Sequence, residues 1–209
     1  MSIVALAGSP SANSRSTALL RHVLSRLDPA VARSEIVLRD LPATALVRAE
    51  FDDRVARTEI VLRDLPPAAL VRADFDDPAI RRAREQVAAA RLVVIATPIY
   101  KASFSGLLKT FLDLLPQDAL RGKTVLALAT GGSHAHLLAL DYALKPVLAA
   151  LGARHILDAV YAADAQFTPH ALHGHVAHDD VVQRVERALA DAPIALRAPV
   201  DAPAIALVA

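Results

Sequence analysis

The chain has 209 residues, 54% of them hydrophobic, enough for one domain with a sizeable core and too apolar for extended disorder. Its 23 basic and 22 acidic side chains nearly cancel, which gives no overall pull toward nucleic acid or a membrane surface. Cysteine is absent, excluding disulfides and thiol chemistry, and neither a signal peptide nor an apolar run of about 18 residues is present, so a cytoplasmic location is expected.

Residues 3–7 (IVALA) form a continuous apolar run that predicts a buried strand. Gly8, Ser9 and Pro10 break it. Ser11, Asn13, Ser14, Ser16 and Thr17 then gather hydroxyls and an amide around one cation, Arg15, before residues 18–27 take up helical spacing. A strand, a polar loop and a helix N-terminus make an anion site, because unpaired amides and the positive end of the helix dipole face the loop. Serine and threonine hydroxyls and a guanidinium fork suit phosphate. Neither G-x-x-x-x-G-K-[ST] nor G-x-G-x-x-G is present, so a mononucleotide phosphate fits better than a triphosphate or a dinucleotide. A capped helix after a plain turn is the alternative.

Residues 31–54 and 55–78 are adjacent 24-residue blocks, identical at 19 positions. They differ at Ser34/Thr58, Ala43/Pro67, Thr44/Ala68, Glu50/Asp74 and Arg54/Pro78. Two copies are too few for a solenoid and indicate a tandem duplication. Each carries a short strand (35–38 or 59–62) followed by a helical piece. One copy is expected to fill the second-strand position and the other to bulge out or add an edge element, since long surface insertions cost little.

Asp77-Pro78 opens a helix running to about residue 90, with proline in its first turn. Residues 92–96 (LVVIA) predict a central strand, ended by the polar loop 97–106 (TPIYKASFSG). Residues 104–115 have helical spacing and stop at Pro116. Residues 124–129 predict another strand, followed by Thr130-Gly131-Gly132-Ser133 and a long helix over about 134–151. Pro146 falls inside that helix, has no N–H for the Tyr142 carbonyl and crowds it, so a kink or π-bulge is expected near Tyr142. A last strand over 155–161 and a helix over 179–190 close a single domain over 1–192, and the Ala/Pro-rich tail 193–209 is expected to be poorly ordered or docked on a neighbouring subunit. His170, His173, His175 and His178 resemble a metal cluster only superficially; their irregular spacing reads as a solvated loop, and no metal is expected.

The alternation predicts an α/β, doubly wound parallel sheet with helices on both faces, and the flavodoxin-like five-stranded order 2-1-3-4-5 is the one that would set its three polar loops side by side. Three polar loops then meet at the carboxyl ends of adjacent strands. Tyr100 offers a ring face for stacking, and Gly131-Gly132 allow close backbone approach.

The segments GSPSANSRST, ATPIYKASFSGLLKTFLDLLP and ALATGGSHAHLLALDYALKPVL, with their spacing, resemble the flavodoxin-like NADPH-dependent FMN reductases of alkanesulfonate-assimilation two-component systems. The resemblance covers about residues 3–164 apart from one repeat copy, without which 185 residues remain. It implies reduction of FMN by NADPH and delivery of FMNH2 to a flavin-dependent monooxygenase, with the flavin carrying the hydride chemistry and no side chain named as acid or base. By the same resemblance Ser9, Ser14, Arg15, Ser16 and Thr17 hold the FMN phosphate. Pro98, Ile99, Tyr100 and Lys101 line the isoalloxazine, with Gly106 nearby, and Thr130, Gly131, Gly132 and Ser133 contact its pyrimidine side. Lys109 and Asp113 are either a dimer contact or an ordinary surface pair. Tyr142 corresponds to a π-helical tyrosine at a tetramer interface linked to flavin release. A homodimer or homotetramer is therefore expected. The alternatives are a quinone or azo reductase that retains its flavin, and a flavodoxin-type electron carrier, which the balanced charge disfavours.

Overall fold

A computed structural model describes residues 2–27, 57–171 and 174–192. The repeat copy 31–54, the tail 193–209 and His173 lie outside the described residues.

The sheet is built on β1 (Ile3–Ala7), every residue of which is buried. It pairs in parallel with β2 (Arg57–Val61) on one side and β3 (Leu92–Tyr100) on the other. β3 pairs with β5 (Thr124–Gly131), and β5 pairs with β6 (His155–Ile156) and β7 (Val160–Ala163), all parallel. The order β2-β1-β3-β5-β6 is the expected five-position order. Continuous apolar strands bury both faces of a sheet. Here Val4, Leu6, Val93, Ile95, Val125 and Ala127 face one core. Their neighbours Ile3, Ala5, Leu92, Val94, Leu126 and Leu128 face the other.

The first core is covered by α2 (Pro67–Arg72), α3 (Pro78–Ala89), α4 (Gly106–Leu112) and α5 (Lys145–Ala150). The second is covered by α1 (Arg15–Arg26) and α6 (Asp179–Ala190), through Leu19, Leu20 and Val23 from one helix and Val181, Val185 and Leu189 from the other.

The second repeat copy supplies β2. Both edges of β1 are thereby taken. Three of the five differences between the copies fall where the docked copy uses them. Pro67 stands at the first position of α2 and Pro78 at the first position of α3, where proline's fixed φ helps and its missing N–H costs nothing. Asp74 accepts from the amides of Asp76 and Asp77 at 3.1 and 3.2 Å, a turn that suits the short aspartate side chain. The first copy has Ala43, Arg54 and Glu50 there.

Several boundaries differ from expectation. α1 begins at Arg15, three residues early, because the Ser14 hydroxyl accepts from the Thr17 amide and caps the helix. The helix expected over 104–115 starts at Gly106, since Ser103–Phe104 form β4, antiparallel to the end of β3. The turn between them places Lys101 and Ala102 at φ 49° and 62°, the left-handed geometry of a two-residue hairpin. The long helix over 134–151 is instead a 3₁₀ turn (His134–His136), a π-helical turn (Leu140–Leu144) and α5. The Lys145 amide reaches back to Leu140 O, five residues away, immediately before Pro146. The last strand breaks at 157–159 and resumes through Ala163. The segment around the histidines is not a loop. β8 (Phe167–His170) and β9 (Gly174–Ala177) form a hairpin, held by the buried Phe167 and its edge-on contact with His175.

Candidate active site

The carboxyl ends of β1, β3, β5 and β7 bring the three polar loops to one edge of the sheet, because the register sets Ala7 beside Ala96, Pro98 beside Thr130 and Gly131 beside Ala163. The first loop turns on Gly8, whose amide donates to Ala96 O at 2.8 Å. A Cβ there would meet Leu108 Cβ at 3.0 Å and Ala96 O at 3.2 Å. Ser9 is buried, and its hydroxyl accepts from the Ser11 amide at 3.2 Å. Ser14 and Ser16 hydroxyls lie 2.9 Å apart at the head of α1, and Ser16 and Thr17 are buried in its first turn.

Ser105 fastens the first two loops together. Its hydroxyl donates to Gly8 O and accepts from the Leu108 amide at 3.1 Å, capping α4. Its own amide donates to Thr97 Oγ1 at 3.0 Å. Beyond Thr97, Ile99 is buried, Tyr100 is 51% exposed and Lys101 is exposed on the strained turn.

The third loop is fixed from beneath by Tyr161. This ring is 1% exposed, and its hydroxyl donates to Ser133 O at 2.6 Å. Burial, and secondarily the nearby Asp164 carboxylate, raise its pKa, so it remains a phenol donor. A Cβ on Gly131 would come 2.4 Å from that hydroxyl, whereas one on Gly132 or Gly106 would meet nothing within 4 Å. Ser133 accepts from the Ala135 amide and starts the 3₁₀ turn.

The electrostatics of the first loop involve residues from the far end of the chain. Arg15 Nη1 lies 3.5 Å from Asp164 Oδ1, while Arg15 Nε is buried without a partner. His175 on β9 has a buried, unpartnered Nδ1, and burial, followed by the Arg15 charge, lowers its pKa against an opposing effect of Asp164. A Cβ on Gly174 would strike Asn13 Oδ1 at 2.4 Å, so the hairpin backs directly onto the loop. On the other flank Arg63, which follows β2, donates to Ser11 O.

All residues expected at the site from the three loops lie at this edge. Lys109 and Asp113 do not line the loops. They form an exposed ion pair on α4, with Nζ 2.6 and 2.7 Å from the carboxylate oxygens. Tyr142 is 78% exposed on the π-helical turn, beside exposed Leu138 and Leu137. Among the described residues no group of three His, Asp or Glu is arranged to hold a metal ion. Ser105, Tyr161, Asp164 and Arg63 were not singled out by the sequence, and His175 was read there only as part of a solvated loop. Ser105, inside the second polar loop, and Asp164, just past the last expected strand, both had a positional signal.

The family model described as NADPH-dependent FMN reductase matches residues 1–168. The chain is 45% identical over 169 residues to an FMN reductase (NADPH) of Escherichia coli (strain K12), covering 79% of this chain and 75% of that one. It is 43% identical over 167 residues to an FMN reductase (NADPH) of Pseudomonas putida KT2440, covering 79% and 73%. Among solved structures, an apo NADH:FMN oxidoreductase superposes with a TM-score of 0.70 at 39% identity, over 90% of this chain and 86% of that one. With that match and this arrangement of loops, the chain belongs to the NADPH-dependent FMN reductase family, flavodoxin-like oxidoreductases that act on FMN with NADPH.

Proposed function

We propose that this chain is the reductase half of a two-component flavin monooxygenase pair. It takes FMN and NADPH from solution in the cytoplasm, reduces the flavin and passes FMNH2 to a partner monooxygenase of the alkanesulfonate-assimilating kind. The residues fit a flavin phosphate. Arg15 Nε is buried and unpartnered, and hydroxyls cluster at a helix N-terminus. Ser9, Ser14, Arg15, Ser16 and Thr17 hold the phosphate. Pro98, Ile99, Tyr100 and Lys101 flank the ring system, Gly106 and Gly132 keep side chains out of its way, and Gly131 leaves room for the Tyr161 phenol that supports the loop. Thr130 and Ser133 present polar atoms to its carbonyl edge. When bound, FMN supplies the hydride-accepting ring and NADPH the hydride. The chain's part is to orient the two ring systems, and its backbone amides offset the negative charge gained on reduction.

The observation that carries the two-component reading is the π-helical turn with Tyr142 exposed at 78%. π-helical turns within helices are frequent at functional sites, and an exposed Leu137–Leu138–Tyr142 patch suits a subunit contact. We assign that patch, with the Lys109–Asp113 pair, to contacts within a homodimer or homotetramer.

The test is NADPH oxidation by flavin-stripped protein as FMN is titrated, with a quinone series in parallel. Rate that saturates with free FMN and ignores quinone supports the reading. Full rate at trace FMN that then follows quinone makes the protein a flavin-retaining quinone reductase.

A further inference from the structure

A second cavity, of about 460 Å³, opens between α3 and the segment joining α4 to β5. Its lining residues on either side of Lys123 lie toward the amino ends of β3 and β5, so the five β3 residues Leu92–Ala96, roughly 16 Å of strand, lie between those ends and the loops described above. Four cations line it: Arg81, Arg84, Arg121 and Lys123. Only two carboxylates, Glu85 and Asp118, accompany them, leaving a net charge of +2 at the cavity wall.

The cations are not consumed by the carboxylates. Among the described residues Arg81, Arg84 and Arg121 form no ion pair. Arg81 donates to Asp76 O at 2.9 Å. Arg84 stacks over Phe75 at 5.2 Å, which fixes its plane, and its Nε is buried without a partner. Lys123 donates to Ala88 O and Ala90 O at 2.6 and 2.7 Å, covering the negative end of α3 that would otherwise repel an anion. Leu115, Pro116, Ala119 and Ala88 form the apolar part of the lining, its floor, with Leu115 buried.

We propose that this cavity binds a phosphate monoester with an apolar or aromatic body. A phosphate monoester carries close to two negative charges at neutral pH, matching the excess at the wall. Guanidinium forks match its oxygens. The volume exceeds that of the phosphate group alone and lies in the range of small-molecule sites, so the apolar floor receives the ester's body. A carboxylate would leave one positive charge unmatched, and inorganic phosphate would leave the floor uncovered.

The full chain is titrated with phenyl phosphate while backbone amide NMR shifts are followed, so that this cavity and the first loop report separately. Saturable shifts at Ala88, Ala119, Arg121 and Lys123 are expected, at lower concentration than for inorganic phosphate or benzoate. Arg121→Glu, on an exposed turn, should weaken the cavity response by at least about tenfold, and Asp118→Asn should strengthen it. Unchanged shifts outside the cavity verify that both variants fold. Shifts confined to Ser14, Ser16 and Thr17, a cavity response that survives Arg121→Glu, or cavity shifts that follow protein concentration without ligand would each overturn the proposal.

Discussion

Tyr161 and Gly131 form one device at the residue scale. The phenol holds Ser133 O, and the glycine leaves room for the phenol. Tyr161→Phe removes one hydrogen bond to a loop carbonyl, and a loss of about 1 kcal/mol in urea denaturation is expected. Gly131→Ala drives a methyl into the hydroxyl, so the loop itself must move; the KM for FMN should rise by about tenfold, equivalent to about 1.4 kcal/mol, with the fold retained by circular dichroism. A second residue-scale expectation concerns pH. His22 on α1 is partly buried, with Nε2 unpartnered, and its pKa is lowered by burial and then by Arg26, against an opposing effect of Glu186. The folded state thus binds the proton less readily than the unfolded chain. Stability is intact above the ordinary histidine value of about 6.5 and falls as pH drops below it toward the folded-state pKa. His175 acts in the same direction. Thermal melts from pH 7.5 down to 5 should therefore fall, less steeply in His22→Leu than in the parent. At this scale a hydroxyl cap within the first loop was legible, because capping is local, but its position was not: the spacing predicts a helix from residue 18, and Ser14 starts it at Arg15. Tyr161 was not legible, because its partner lies 28 residues away and only the sheet brings them together.

At the scale of elements, the duplicated segment can be tested by excision. Removing residues 31–54 leaves the docked copy, with β2 and α2, in the chain, so a folded protein with undiminished FMN reductase activity is expected. Removing residues 55–78 leaves the first copy to supply the same EIVLRDLP run. That protein should fold as well, but with Ala43, Glu50 and Arg54 in place of Pro67, Asp74 and Pro78 it should be less stable by about 1–2 kcal/mol in urea denaturation. Sequence showed the duplication but not which copy supplies β2, because the two strands are identical in EIVLRDLP and the turn and helix starts at Pro67, Asp74 and Pro78 matter only once the strand is docked. The π-helical turn was legible for a related reason: Pro146 cannot supply the N–H that an ordinary turn requires. The β8–β9 hairpin was not legible. Its strands are interrupted by Pro169 and Gly174, and what holds it is Phe167 packing into the second core.

For the molecule as a whole, the order of the sheet was legible because buried parallel strands are long apolar runs alternating with helices. The site follows from that order, since neighbouring strands must end side by side. Ser105 converts adjacency into rigidity by joining Gly8, Thr97 and α4 in a buried place. Ser105→Ala should cost about 1–3 kcal/mol, because the Gly8 carbonyl and the Leu108 amide lose their partner. For a domain of this size that corresponds to a fall in melting temperature of about 2–4 °C per kcal/mol.

The tandem segment also has a genetic consequence. Two blocks of 24 residues with 19 identities lie in direct succession, so recombination between their coding sequences excises one unit in frame wherever the crossover falls. Each product retains a strand, a following arginine and a helical piece in the order β1 requires. The lineage can therefore return to the shorter chain in a single event. Until it does, selection bears most heavily on the block that occupies the sheet, and drift is expected to accumulate in residues 31–54.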